Sequence, residues 1–228
     1  MFNLTTFREL VVAALWTGLL AGLLLTAAQQ IQVIPTLLKA EVYEEKAATA
    51  VISNTENSHE QHAWQPENGW ERTSYTAVAN ISLGIGFSLL IGAGMCLRSG
   101  AGNWRKGLLW GLAGYAVFFV APSLGLPPEV PGTEAAKLED RQVWWLMTVL
   151  DTAFGLALLI FAKTKVNKFY GAVLLIAPHL IDAPQPEVHG SVAPAELAQS
   201  FITATVFANA VFWLALGGLM GLFYKKGI

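Results

Sequence analysis

Residues 197–224 read LAQSFITATVFANAVFWLALGGLMGLFY, with no Asp, Glu, Lys, Arg or His among them. A helix crosses a hydrocarbon core of about 30 Å with about 20 apolar residues, and in lipid its backbone groups must be satisfied internally. The stretch therefore reads as a transmembrane helix. Four more runs carry no charge or a single one: Leu10 to Leu38, Thr73 to Leu97, Gly107 to Pro128 and Gln142 to Ala162. A sixth, Phe169 to Ile181, is short and contains Pro178, so it reads as a spanning helix, a re-entrant segment or a broken helix. The count adopted is six, with five as the alternative. Only 13% of the 228 residues are charged, about half the share of an ordinary soluble domain.

The expected fold is an all-α polytopic membrane protein, one transmembrane domain over residues 1–228. The first helix is expected to end at Pro35, and an external polar loop to occupy about residues 39–72. Arg8 ahead of an apolar stretch ending in Thr26, Ala27 and Ala28 would also suit a secretory signal. That run exceeds a usual signal core and is read as a retained helix. Cys96 is the single cysteine, which excludes a disulfide framework, a CxxC redox pair and a Cys-rich zinc site.

Cytoplasmic loops are enriched in Lys and Arg. Under the six-helix reading, Arg8, Arg98, Arg105, Lys106, Lys163, Lys165, Lys168, Lys225 and Lys226 fall on one side. Lys39, Lys46, Arg72, Lys137 and Arg141 fall in the longer loops of the other. The basic side is assigned to the cytoplasm of a bacterial inner membrane, with both termini there. Of the sixteen acidic residues, only Glu9 lies on the basic side and Asp151 lies within a helix. The acidic outer surface would concentrate cations, or would simply keep exposed loops soluble.

Three in-out-in hairpins follow from this order, and the second and third resemble each other as a parallel repeat. Ala121-Pro122-Ser123-Leu124 precedes Pro128-Glu129-Val130-Pro131-Gly132, and Ala177-Pro178-His179-Leu180 precedes Pro186-Glu187-Val188-His189-Gly190. The first hairpin echoes this with Pro35 and Glu41-Val42-Tyr43. Duplicated hairpins give this pattern, and so does convergent chemistry at helix ends, where proline is common. Small residues four apart (Gly18 and Gly22, Ser82 and Gly86, Gly107 and Gly111, Gly217 and Gly221) are expected where helix backbones approach closely. Trp104, Trp144 and Trp145 are expected in the interfacial aromatic belts.

All four histidines fall outside the membrane on the expected outer side: His59, His62, His179 and His189. Imidazole suits Co, Ni, Zn and Cu, and carboxylates can complete the shell. Glu56 and Glu60 lie near the first pair, Asp182 and Glu187 near the second. His59 and His62 fall in a loop where exposed histidines are ordinary. His179 follows Pro178, which removes a backbone donor and frees the Leu174 carbonyl, and freed carbonyls at membrane depth can coordinate ions. The plain alternative is a wet histidine at a helix end.

Asp151, in the fourth helix, is costly in lipid and is expected to face the protein interior and bond to Asn209 or Asn80. Gln29, Gln30 and Gln32 make the outer end of the first helix polar, lining a cavity or lying among headgroups. The candidate metal-contacting residues are His179, Asp182, His189, His59, His62 and Asp151. No GxxxxGK[ST], GxSxG or HExxH motif occurs, so an enzyme using one of these is excluded.

Several stretches resemble the CbtA family of cobalt transporter subunits: LLLTAAQQIQVIP with AEVYE, GYAVFFVAPSLGLPPEVPGTEAAKLEDRQVWWLMTVLDTAFGLAL, APHLIDAPQP, PAELAQSF and NAVFW. The matching positions of interest are His179 and Asp182, and Arg141 with Trp144 and Trp145. The resemblance implies a multi-helix subunit of a divalent metal uptake system, with cobalt as the transported ion and no tightly bound cofactor. It also implies other membrane subunits, including a short histidine-bearing CbtB-type partner, and no nucleic acid. The competing expectation is an accessory or structural subunit packed against a larger membrane complex.

Overall fold

The computed structural model describes residues 4–52, 64–98, 103–188 and 190–224. Helix α1 (Leu4–Ala28) passes through a π turn (Gln29–Val33) into α2 (Ile34–Ile52), and α3 (Trp70–Leu97) follows. Helix α4 (Trp104–Tyr115) likewise passes through a π turn (Ala116–Val120) into α5 (Ala121–Gly125). Then come α6 (Leu138–Phe161), α7 (Lys165–Leu180) and α8 (Ala195–Phe223).

Among the described residues, five runs are long and apolar enough to cross a membrane: Leu4–Ala50, Trp70–Leu97, Trp104–Gly125, Leu138–Phe161 and Ala195–Phe223. The expected sixth is represented by α7, which has 16 residues. That is about 24 Å of helix at 1.5 Å per residue, short of the core thickness.

The first helix does not end at Pro35. A proline inside a helix lacks an N–H, and its ring crowds the carbonyl four residues back. Just before Pro35 the turn widens, with the Ile34 N–H donating to the Gln29 carbonyl five residues back. Just before Pro122 the Ala121 N–H reaches the Ala116 carbonyl in the same way. Each π turn makes room for a ring, and the helix continues. Beyond Pro35 the sequence TLLKAEVYEEKAATA is rich in strong helix formers. The segment expected as loop from residue 39 is therefore helical to Ile52.

The chain forms two compact units. The first comprises residues 1–112, 130–132 and 192–228, and the second residues 113–129 and 133–191. In the first unit α1 packs on α3 through glycine. A Cβ placed on Gly22 would lie 2.6 Å from the Ile81 Cα, and Gly18 meets the Ile85 backbone as closely. Gly107 and Gly111 of α4 pack in the same manner on Gly217 and Gly221 of α8. The Ser82 and Gly86 pair does not fit the expectation, since Gly86 faces open space. Ala14, Ala21, Met95, Leu216 and Met220 are fully buried in this unit. At the end of α8 the buried Tyr224 hydroxyl donates to the Cys96 thiol at 3.3 Å.

Farther along α1 and α3 the contact turns polar. Asn80 donates to Thr26 Oγ1 at 3.0 Å and to Gln29 Oε1 at 2.7 Å. Gln30 donates to Thr73 Oγ1 at 2.9 Å. Arg72 clasps Glu41 of α2 with two bonds, 3.2 and 2.9 Å.

In the second unit α6 and α7 run antiparallel. A Cβ on either Gly155 or Gly171 would lie 2.8 Å from the other's carbonyl oxygen, and Trp144 meets His179 at the far end. Thr133 and Ser191 form an antiparallel bridge, and Glu134 N donates to the Gly190 carbonyl at 2.9 Å. In the first unit Val192 N donates to the Gly132 carbonyl at 3.2 Å.

Candidate metal-handling site

The buried face of α6 is set by helical spacing: Trp144, Thr148, Thr152 and Gly155 fall on one side. The Thr148 hydroxyl is spent on its own helix, donating to the Trp144 carbonyl at 2.9 Å. The Trp144 indole N–H and the Thr152 hydroxyl are buried without a hydrogen-bond partner among the described residues. An unmet buried polar group costs about 1–3 kcal/mol, so this face holds polar groups not consumed by the fold.

Trp144 was expected in an interfacial belt, yet it is only 6% exposed. Its ring lies edge-on to the His179 imidazole, with centroids 6.2 Å apart and planes at 68°. A Cβ on Gly125 would lie 2.5 Å from its ring and 2.8 Å from Ala183 Cβ, so only glycine admits the indole there. Trp145 takes the exposed position and faces Phe118 at 6.4 Å. The sequence held a usable cue in the helical spacing from Trp144 to Thr148 and Thr152.

His179 is half-buried in the last turn of α7. Pro178, inside the same helix, cannot donate to the Leu174 carbonyl. Asp182 adopts a left-handed conformation, φ 62°, two residues beyond the helix end. Asp is among the few residues that tolerate this conformation, so Asp182 turns the chain out of α7 while its side chain stays exposed. Glu187 is exposed. Glu129, its counterpart in the preceding hairpin, bonds to Arg141 at 2.9 Å.

Asp151 is half-buried on α6 and has no hydrogen bond among the described residues. Both residues expected to hold it are engaged in their own unit: Asn80 donates to Thr26 and Gln29, and Asn209 donates to the Thr205 carbonyl of its own helix. Asp151 belongs to the second unit and both amides to the first.

His59, His62 and His189 lie outside the described residues. Among the described residues no three His, Cys, Asp or Glu side chains converge. The second unit thus offers His179 and the freed Leu174 carbonyl on α7, and Thr152 and Asp151 on α6, as separate oxygen and nitrogen donors.

No curated protein and no solved structure matches the chain. The model of one family does, from residue 7 to 225, and is described as "Probable cobalt transporter subunit (CbtA)". With the match nearly end to end, over a stretch that takes in nearly all of the apolar helices described, the chain belongs to the CbtA family.

Proposed function

We propose that this protein is a membrane subunit of an uptake system for a divalent metal, cobalt first among them. The family match over residues 7–225 carries this reading. A transporter subunit implies other membrane subunits, and a small histidine-bearing CbtB-type chain is the proposed partner. An inward divalent cation gains about 4.6 kcal/mol per 100 mV of inside-negative potential, twice the single-charge value. Uptake through this subunit needs no nucleotide site of its own.

The proposed topology has six crossings, both termini in the cytoplasm and a bacterial inner membrane. The antiparallel run of α7 along α6, from Gly171 beside Gly155 to His179 beside Trp144, supports α7 as the sixth crossing. A short spanning helix is accommodated by local thinning of the bilayer. The nine basic residues of the short loops support the orientation.

The proposed metal entrance is the outer end of α7, with His179 as ligand and Asp182 or Glu187 assisting. His189, His59 and His62 are further ligands on the same face, and Asp151 is an acceptor at membrane depth. The reading is supported by the half-buried imidazole that follows the proline freeing the Leu174 carbonyl, and by two exposed carboxylates, Asp182 and Glu187.

The test is cobalt uptake in cells that depend on this protein and its natural partner. His179→Gln is compared with a His59→Gln, His62→Gln double variant. Loss only in the first supports the α7 entrance, and loss only in the second moves it to the long loop. Normal uptake in both, or no uptake by the unaltered protein, favours an accessory subunit that transports nothing.

A further inference from the structure

We propose that Trp144 is the positioning residue of the metal entrance: its buried indole, fixed where the end of α5 meets the segment leaving α7, holds the His179 imidazole in the orientation that receives the cation. The inference rests on the metal-uptake reading, with His179 as ligand.

Three segments of the second unit converge on the indole. Trp144 stands early in α6, Gly125 closes α5, and Ala183 lies in the segment that follows α7. A Cβ on Gly125 would lie 2.5 Å from the indole Cη2, 2.8 Å from its Cζ2 and 2.8 Å from Ala183 Cβ. The benzenoid edge is therefore held by close packing, and the other end of the side chain by its helix. A ring so placed turns only if α5 or the segment after α7 moves.

His179 is the opposite case. It stands half-buried in the last turn of α7, and no hydrogen bond fixes its ring among the described residues. Its torsions are restrained by packing, and the indole meets it edge-on, with centroids 6.2 Å apart and planes at 68°. Aromatic rings favour such an arrangement at about 4.5–7 Å. A ligating histidine is ordinarily oriented by a hydrogen-bonded neighbour, whose loss costs about 10–100-fold in metal affinity. Here a ring contact takes that part.

Filling space does not by itself account for tryptophan at this position. The indole N–H is buried without a partner among the described residues, and phenylalanine or leucine would fill the space without burying a donor. The neighbouring Trp145 faces Phe118 instead. Of the two adjacent tryptophans, Trp144 is the one set against the imidazole.

Two measurements on the purified full-length protein test the proposal. In the first, without metal, the histidines carry an isotope label, and the His179 imidazole signal is identified by its loss in His179→Gln. Trp144→Leu should move that signal by removing the neighbouring ring current, and an unmoved signal overturns the proposal. In the second, cobalt binding is followed by calorimetry. Trp144→Leu should weaken it about tenfold, the lower end for an outer partner of a metal ligand, and Trp144→Phe, which keeps a ring, should weaken it less. Binding as tight in Trp144→Leu as in the unaltered protein also overturns the proposal.

Gly125→Ala separates ring position from general packing, because its methyl group pushes the indole aside and leaves both partners in the chain. It should weaken cobalt binding while Trp144 is present, and by less than about twofold once Trp144→Leu has removed the ring, since the two changes act on one contact. Equal losses in both backgrounds would show an effect through the fold alone. Trp144→Phe replaces Trp144→Leu throughout if the leucine variant fails to accumulate. If the unaltered protein binds no cobalt, the uptake reading fails, and the labelled imidazole then decides whether Trp144 orients His179.

Discussion

The glutamates that follow the prolines Pro35, Pro122 and Pro178 meet different fates. Glu41, after Pro35, is clasped by two bonds from Arg72. Glu129, after Pro122, takes one bond from Arg141. Glu187, after Pro178, is exposed, and the residue 58 positions beyond Arg141 is Gln199. In two hairpins a carboxylate is committed to the arginine that opens the next helix, and in the third it is not. The same PEVxG pattern therefore serves architecture in one copy and leaves a free anionic group in the other. A motif repeated in sequence need not be repeated in role.

The sharpest way to break the first hairpin is at its glycines, because the Glu41 to Arg72 clasp needs α1 and α3 in backbone contact. Gly18→Ala and Gly22→Ala should each cost about 1–3 kcal/mol by overpacking. Thermal unfolding in detergent should show both far below Gly86→Ala, whose methyl would meet open space. Equal melting temperatures for the three would remove the glycine contact as the organiser of this hairpin.

The two ion pairs can be ranked next. Lysine cannot reproduce a two-pronged guanidinium contact, so Arg72→Lys should cost about 1 kcal/mol, the upper end for partly exposed pairs. Arg141→Lys, replacing a single contact, should cost less. A larger loss at Arg141 would reverse the ranking and make the second hairpin the stricter clamp.

The smallest change in stability, under about 0.5 kcal/mol, is expected from Gln199→Arg, which offers Glu187 the partner its counterparts have. Its value lies in cobalt uptake measured beside it. Reduced uptake at unchanged stability would assign Glu187 a part in metal capture, and unchanged uptake would leave Glu187 as a solvated loop residue.

Much of the fold was legible because lipid imposes simple rules. Long charge-free runs must be helices, and small residues four apart marked the true contacts at Gly18 and Gly22 and at Gly107 and Gly111. The extension of the first helix to Ile52 was not legible. Pro35 reads as a terminator, and nothing in the sequence announces the π turn that absorbs it. Trp144 was misplaced because a tryptophan near a helix end fits an aromatic belt as readily as a core, and the glycine that makes its pocket, Gly125, lies 19 residues away. The site was legible only as a set of donors. His179 and Asp182 could be named, but the left-handed turn at Asp182 and the edge-on contact of His179 with Trp144 depend on how the chain folds back. Asp151 could be named as costly in lipid, but its partner could not, because helical spacing does not say which polar group of another helix would meet it.

The pairing at Thr133 and Ser191 has a consequence for descent. Exchanging each residue for the one 58 positions away, forward from the first strand and back from the second, turns the bond from Glu134 to Gly190 into the bond from Val192 to Gly132. The Thr133 hydroxyl, donating to Ser191 at 3.2 Å, meets its own counterpart. Self-complementary contact of this kind is the mark of an isologous interface between identical subunits. Two separate copies of a single hairpin could join edge to edge through this ribbon without altering a bond. Had the two hairpins once been identical, arginine at 141 and glutamine at 199 would be one place where a fused chain let each half vary alone.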